Sequence, residues 1–336
     1  MRAVVCREWA DYGSLPLESV PSPPMRPLGV RIATHAAGVS FATTLIVSGN
    51  HQTKPPFPFT PGTEVAGTVV ECAPGVTRVK MGDRVCAAPE WGGHAEEVVA
   101  LEHNVFPIPD GLPFATAVQF PLSYGTAYGA LVWRAHVRPG EVLLVFGASG
   151  AVGLAAVEVG KALGARVIAC VGSAAKAGAA REHGADHVLV GAPDTLREEI
   201  KDITKARGVD VVFDPVGGAA FDVAMRVAGP LARLIVIGFA SGQRPMVPAN
   251  ILLVKNIDVI GFYFGRYIWD GVVPRLDWDR QVADAFAELF RWHEVGLLKP
   301  TASLRFPLAQ YREAMDSVVQ RKGIGKVVLE MPAAGG

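Results

Sequence analysis

The sequence predicts an α/β protein, with a doubly wound parallel sheet and a second, β-rich domain. Three observations carry this. From about residue 115 onward, apolar runs of strand length alternate with helical stretches, the grammar of βαβ units. The first third is instead made of short strand-like runs separated by Pro- and Gly-rich punctuation. The chain has 336 residues, and single cores stop growing above roughly 250.

In order, residues 2–6, 30–37, 67–71 and 84–87 read as strands. The proline-rich segments 21–27 and 55–61 can continue neither a helix nor a central strand and read as surface connections. Residues 141–146 (EVLLVF) form a continuous apolar run, as expected of a strand buried on both faces. Helix 151–163, strand 166–170, helix 174–183, strand 187–190, helix 194–204, strand 209–214, helix 219–227 and strand 232–237 follow. Residues 257–264 read as a sixth strand of this series. Two amphipathic helices (280–293 and 308–320) and short strands at 301–306 and 326–330 would return to the β-rich part.

Composition excludes several classes. Half of the chain is hydrophobic and 19% is charged, the balance of a globular protein rather than a disordered one. Lys plus Arg and Asp plus Glu are 32 each, so nothing points to nucleic acid or an anionic membrane as partner. No apolar stretch reaches the length of a membrane span. The start, MRAVVC, lacks a signal-peptide apolar region and cleavage site, so a cytoplasmic location is expected. The four cysteines, at 6, 72, 86 and 170, form no C-x-x-C pair and fit neither a disulfide framework nor a zinc knuckle.

The first strand-to-helix junction reads Phe146-Gly147-Ala148-Ser149-Gly150-Ala151-Val152-Gly153. Small residues are needed here because the chain must turn sharply, its backbone must approach a diphosphate, and the helix must pack tightly on the sheet. The helix N-terminus then offers unpaired N–H groups and a positive dipole end to the anion. The pattern G-x-x-G-x-x-G is weak alone; between a strand and a helix in a series of βα repeats it indicates dinucleotide binding. An NAD-type site would place an acidic residue at the end of the second strand. The sequence there is Cys170-Val171-Gly172-Ser173-Ala174-Ala175-Lys176, with no Asp or Glu before Glu182. A carboxylate would repel a 2′-phosphate, whereas the Ser173 hydroxyl and Lys176 ammonium would hold one, which points to NADPH.

These residues resemble the medium-chain dehydrogenase/reductase superfamily over nearly the whole chain, in its zinc-independent, zeta-crystallin-like quinone oxidoreductase branch. The match rests on Gly38–Phe41 (GVSF), Pro61–Gly67 (PGTEVAG), Gly82–Val85 (GDRV), Gly125–Tyr128 (GTAY), the Gly147 turn, Phe213–Gly218 (FDPVGG) and Arg321–Lys326 (RKGIGK), in this order and spacing. The resemblance implies a GroES-like catalytic domain over 1–118, completed by 265–336, and a Rossmann NADPH-binding domain over 119–264. It also implies a homodimer joined edge to edge along 257–264. Zinc-dependent relatives carry Cys, His and Cys at the positions of Ser40, Thr63 and Leu122, and a four-cysteine lobe that is missing between Val85 and Val105; no metal is therefore expected.

Carried over residue by residue, Ser40 and Thr126 would face the nicotinamide end of the cofactor, and Val152 would follow the pyrophosphate turn. Gly172, Ser173 and Lys176 would surround the 2′-phosphate, Gly238 would approach the nicotinamide ribose, and Arg321 would reach the cofactor. Two tyrosines common in the branch are absent: Gly191 stands on the adenine side and Leu45 near the nicotinamide pocket. The resemblance implies hydride transfer from NADPH to a quinone or conjugated carbonyl, whose delocalised charge needs less Lewis-acid help than a simple carbonyl. Ser40, Tyr124 and Tyr263 are the candidate catalytic residues, with His51 a further candidate proton donor; Phe262, Phe264 and Trp91 could line an acceptor pocket. Two other readings stand beside this one: an enoyl-thioester or enone reductase on the same scaffold, and a cofactor-binding protein without turnover.

Overall fold

The computed structural model describes residues 1–270 and 274–332. The chain divides into two compact units, one made of Met1–Leu122, Gly265–Phe290 and the stretch from Pro300 onward, the other of Ser123–Phe264 and Arg291–Lys299. In chain order the strands are β1 (Arg2–Val4), β2 (Leu17–Ser19), β3 (Gly29–Val39), β4 (Val65–Cys72), β5 (Arg84–Ala87), β6 (Glu97–Leu101) and β7 (Val105–Pro107). Then come β8 (Val142–Val145), β9 (Arg166–Val171), β10 (His187–Val190), β11 (Val209–Asp214), β12 (Ala228–Val236), β13 (Asp258–Gly261), β14 (Leu304–Pro307) and β15 (Val327–Glu330). The helices are α1 (Phe41–Val47), α2 (Phe114–Ala117), α3 (Gly125–Tyr128), α4 (Ala151–Ala162), α5 (Ala177–Glu182) and α6 (Arg197–Ile203). They continue with α7 (Ala219–Val227), α8 (Ala249–Lys255), α9 (Gly265–Ile268), α10 (Asp279–Glu294) and α11 (Tyr311–Val319). None of the described helices is long and apolar enough to cross a membrane.

In the second unit six parallel strands form one sheet in the order β10-β9-β8-β11-β12-β13. This is the doubly wound arrangement of dinucleotide-binding sheets, with the order reversing between β8 and β11. All four residues of β8 are buried, which explains why its sequence is continuously apolar. Its Leu144 pairs with Ile168 on one side and Val212 on the other. Phe146, Ile168, Ile200, Val212, Phe221 and Leu234 fill the core around it. The helix α4 lies very close to the sheet: a Cβ on Gly160 would fall 2.5 Å from the Leu143 side chain.

The first unit is built on a seven-stranded sheet running β14-β15-β3-β4-β5-β7, with β6 also paired to β3. The long strand β3 is its spine, matched antiparallel to β4, to β6 through residues 29–33 and to β15 through residues 36–39. A buried ion pair, Glu64 with Lys326, sits against this spine. A Cβ on Gly38 would fall 2.5 Å from the Glu64 carboxyl carbon, so glycine is needed where strand and carboxylate meet. Nearby, the buried His94 ring lies 2.9 Å from the Tyr12 hydroxyl through Nδ1 and 3.2 Å from the Gly38 carbonyl through Nε2.

Several elements differ from the sequence expectation, for local reasons. The strand expected at 232 begins at Ala228, because Ala228 pairs with Val209 before a register shift. Gly229-Pro230 hides this early start. The helix expected at 174 opens as a 3-10 turn, Ala174–Lys176, before α5 begins. The run 257–264 yields only the four-residue β13. Phe262 and Phe264 turn inward instead, onto Gly129 and Gly125, where a Cβ would stand 2.6 and 2.7 Å from their rings. Beyond those expectations, α1, α8 and the helical run from Phe114 to Arg134 are present. That run contains wider π-type turns at Phe120–Tyr124, which holds Pro121, and at Gly129–Arg134, which opens on a glycine.

Candidate cofactor-binding site

The strand β8 delivers the chain into the glycine turn at the point where strand order reverses, the place where open α/β sheets bind ligands. Gly147 adopts φ +58°, and its carbonyl oxygen shapes the rest of the turn. It accepts the Gly150 N–H at 3.0 Å, and a Cβ on Gly153 would fall 2.2 Å from it. No side chain fits at Gly153 while α4 keeps this approach to the strand. The N-cap of α4 is Gly150, exposed and extended, with no side chain to cap the helix. The first amides of α4 therefore have no intrahelical acceptor and no competing cap group over them. Bare backbone, a tight turn and a helix N-terminus fit a diphosphate.

Neighbouring loops complete the floor. Ala148 N–H donates to the Cys170 carbonyl at 3.1 Å, placing the turn beside the end of β9 and hence beside Gly172, Ser173 and Lys176. Nothing within 4 Å would meet a Cβ on Gly172; Ser173 is exposed and Lys176 half-buried. The Ser173 hydroxyl makes no cap bond to the following turn. On the other side, Val216 and Pro215 lie 3.3 and 3.6 Å from where a Gly147 Cβ would stand, and the Pro215 carbonyl lies 3.4 Å from the same point on Gly238. This Pro215–Gly217 loop is tied down by Asp214, which the sequence shows only as part of the FDPVGG landmark. Its Oδ1 accepts the Val216 and Gly217 amides at 2.8 and 3.0 Å. Burial raises its pKa, and those two amides partly offset the rise.

The structure thus brings Gly147, Ser149, Gly150, Ala151, Val152, Gly153, Gly172, Ser173, Lys176 and Gly238 to one end of one sheet. Thr126, half-buried on α3, belongs to the same unit, and α3 packs on α4. Tyr124, just before it, is 2% exposed and donates its hydroxyl hydrogen to Glu158 at 2.6 Å. Burial, and then the Glu158 charge, hold its pKa well above the usual phenol value. Tyr263, between the two inward-turned phenylalanines, is 39% exposed.

Ser40 and Arg321 lie in the other unit. Ser40 is the N-cap residue of α1, yet its hydroxyl bonds no helix amide and lies 3.4 Å from Thr43 Oγ1. Arg321 is exposed, in the left-handed region at φ +55°. His51 accepts the Thr53 N–H on Nδ1 at 3.0 Å, and burial lowers its pKa. Trp91 is half-buried against the core of this unit. Among the described residues, no group of three or more His, Cys, Asp or Glu side chains is arranged to hold a metal ion. Of the residues that stand in place of zinc ligands, Thr63 is buried and Leu122 half-buried, and the neighbouring Glu64 is paired with Lys326.

Comparison with known proteins agrees with this architecture. Residues 26–110 match the alcohol dehydrogenase GroES-like domain, and residues 151–278 match the zinc-binding dehydrogenase family. The second name describes that family at large; Ser40, Thr63 and Leu122 all lie outside the segment it matches. The chain is 35% identical over 331 residues to quinone oxidoreductase-like protein 2 of Rattus norvegicus, covering 98% of this chain and 92% of that one. Among solved structures it is similar to the Escherichia coli quinone oxidoreductase complexed with NADPH, with a TM-score of 0.87, 27% identity, and 98% and 100% of the two chains covered. It is likewise similar to the quinone oxidoreductase of Thermus thermophilus, solved alone and with NADPH, with a TM-score of 0.83, 31% identity, and 98% and 100% covered. With both domains matched in order and relatives aligned over nearly their full length, the chain belongs to the medium-chain dehydrogenase/reductase superfamily, in its zinc-independent quinone oxidoreductase group.

Proposed function

We propose that this protein is an NADPH-dependent, zinc-independent reductase of quinones or conjugated carbonyl compounds. The observation that carries the reading is the glycine turn at the reversal of the parallel sheet, where a Cβ on Gly153 would stand 2.2 Å from the Gly147 oxygen. Its bare backbone meets the diphosphate. The half-buried Lys176 and the exposed Ser173, in the turn after β9, meet the 2′-phosphate. The similarity to quinone oxidoreductases crystallised with NADPH supports the same assignment.

When bound, the cofactor supplies a hydride. The chain's own part is to orient donor and acceptor and to exclude water. Thr126 and Ser40 are assigned to the nicotinamide end, Gly238 to its ribose and Arg321 to a further cofactor contact. For the proton that follows, we assign Tyr263 or solvent ahead of Tyr124, whose hydroxyl hydrogen is given to Glu158. The working form is a homodimer in the cytoplasm, joined along the β13 edge.

The test is NADPH oxidation by the purified protein with 1,2-naphthoquinone, a simple enone and crotonyl-CoA. Turnover of the quinone above the other two is expected. Preference for crotonyl-CoA or the enone would move the chain to the enoyl-thioester or enone reductases. Tight NADPH binding with no turnover of any acceptor would make it a binding protein.

A further inference from the structure

The pyrophosphate helix buries one carboxylate. In the stretch Ala151–Ala162, Glu158 sits among Ala155, Ala156, Val157 and Val159 and is only 1% exposed. Its Oε2 accepts the Tyr124 hydroxyl at 2.6 Å. Its Oε1 lies 2.7 Å from His183 Nδ1 and accepts the Lys299 backbone N–H at 2.9 Å. Tyr124 and His183 are themselves buried. A carboxylate only accepts, so with Glu158 ionised the imidazole carries its hydrogen on Nδ1.

Stability alone is a poor reason for this arrangement. A buried charge is costly even when well hydrogen-bonded, and an apolar residue of similar volume is often as good or better. Location supplies a better reason. Tyr124 immediately precedes the Gly125-Thr126 segment, Glu158 lies about two turns along the helix that starts after Gly150, and His183 follows the end of α5. One carboxylate therefore fastens the Thr126 segment, the pyrophosphate helix and the helix after the 2′-phosphate turn to one another, within a single compact unit.

We propose that Glu158 is a positioning residue for the cofactor. Through Tyr124 and His183 it keeps the Thr126 segment in register with the Gly147–Gly153 turn, so that both ends of one NADPH molecule are met at once. The inference rests on the NADPH site proposed above, and it makes the Tyr124–Glu158 bond matter for a ligand that spans both ends but not for one that reaches only the adenosine end.

The experiment measures dissociation constants of NADPH and of 2′,5′-ADP, which has the 2′-phosphate but no nicotinamide, by calorimetry on four variants. Tyr124→Phe keeps the ring and removes one hydrogen bond to a buried charge. It should weaken NADPH about tenfold and leave 2′,5′-ADP within about twofold. Glu158→Leu also removes the His183 contact, so it should weaken NADPH further and 2′,5′-ADP to a lesser extent. Glu158→Gln should restore near-wild-type binding of both. Its amide oxygen can accept from His183 and Lys299 while its NH₂ donates to the Tyr124 oxygen. Equal weakening of both ligands, or of neither, in Tyr124→Phe would overturn the inference. Lys176→Ala separates this from failure of the site itself. It should weaken both ligands, and if it leaves both unchanged the cofactor site is misplaced and the inference falls with it.

Discussion

At the scale of single residues, Lys176 and His94 give opposite kinds of prediction. Lys176 stands in the turn past β9, where a 2′-phosphate would lie. Hydrogen bonds to charged groups contribute about 1.5–3 kcal/mol, so Lys176→Ala should weaken NADPH by roughly ten- to a hundredfold. NADH should be nearly unaffected, since it lacks that phosphate. Titrations with both cofactors check this, and the NADPH loss should shrink as salt rises because the side chain is only half-buried. A wild-type preference for NADH would remove the assignment. His94 concerns stability. Burial lowers its pKa to about 4, against about 6.5 in an unfolded chain. Between these values the unfolded chain takes up a proton that the folded chain refuses. Stability present in full above about pH 6.5 is therefore lost as pH falls towards 4, by up to roughly 3 kcal/mol. Urea unfolding at pH 7 and at about pH 4.5 should show this drop, and His94→Gln, which can still donate to Gly38 and accept from Tyr12, should flatten it. Equal slopes for the two proteins would show that His94 titrates normally.

At the scale of elements, the outer edge of the parallel sheet stands open. On one side β13 pairs with β12, and no strand among the described residues pairs its other side. The preceding helix α8 has no buried residue, and its Leu253 and Val254 are 74% and 80% exposed. An open apolar edge is a liability that pairing with a second copy removes. Sedimentation at micromolar concentration should show a dimer, and the double variant Leu253→Glu, Val254→Glu should shift it towards monomer with the fold intact. A monomeric wild type would end this proposal. The elements also show what the sequence made legible. The buried parallel strands announced themselves because a strand covered on both faces has no polar positions to disguise it, and the glycine turn because three constraints converge on it. Helix α8 stayed hidden because its four large apolar residues are consecutive and carry no period: Ile251 and Leu252 pack on the core while Leu253 and Val254 face out. The Glu158 network stayed hidden because its members lie at 124, 158, 183 and 299, and only the fold brings them together. A lone charge in the apolar helix GLAAVEVG was the one available signal.

For the molecule as a whole, the replacement of three zinc ligands by Ser40, Thr63 and Leu122 predicts a protein whose activity chelators leave intact. Elemental analysis should find no stoichiometric zinc, and one tightly held zinc per chain with activity lost to chelators would contradict it. The two units also differ in how the chain supplies them. Ser123–Phe264 completes all six parallel strands as one uninterrupted stretch. In the other unit Val39 must find Val327, and Glu64 must find Lys326. On the ribosome, the parallel sheet has its full set of strands while the spine of the other sheet still has an open edge and a carboxylate without its counter-charge. The wait lasts from Gly261 to Val327, several seconds at roughly 5–20 residues per second. During that interval the unpaired end of β3 is open to pairing with another chain.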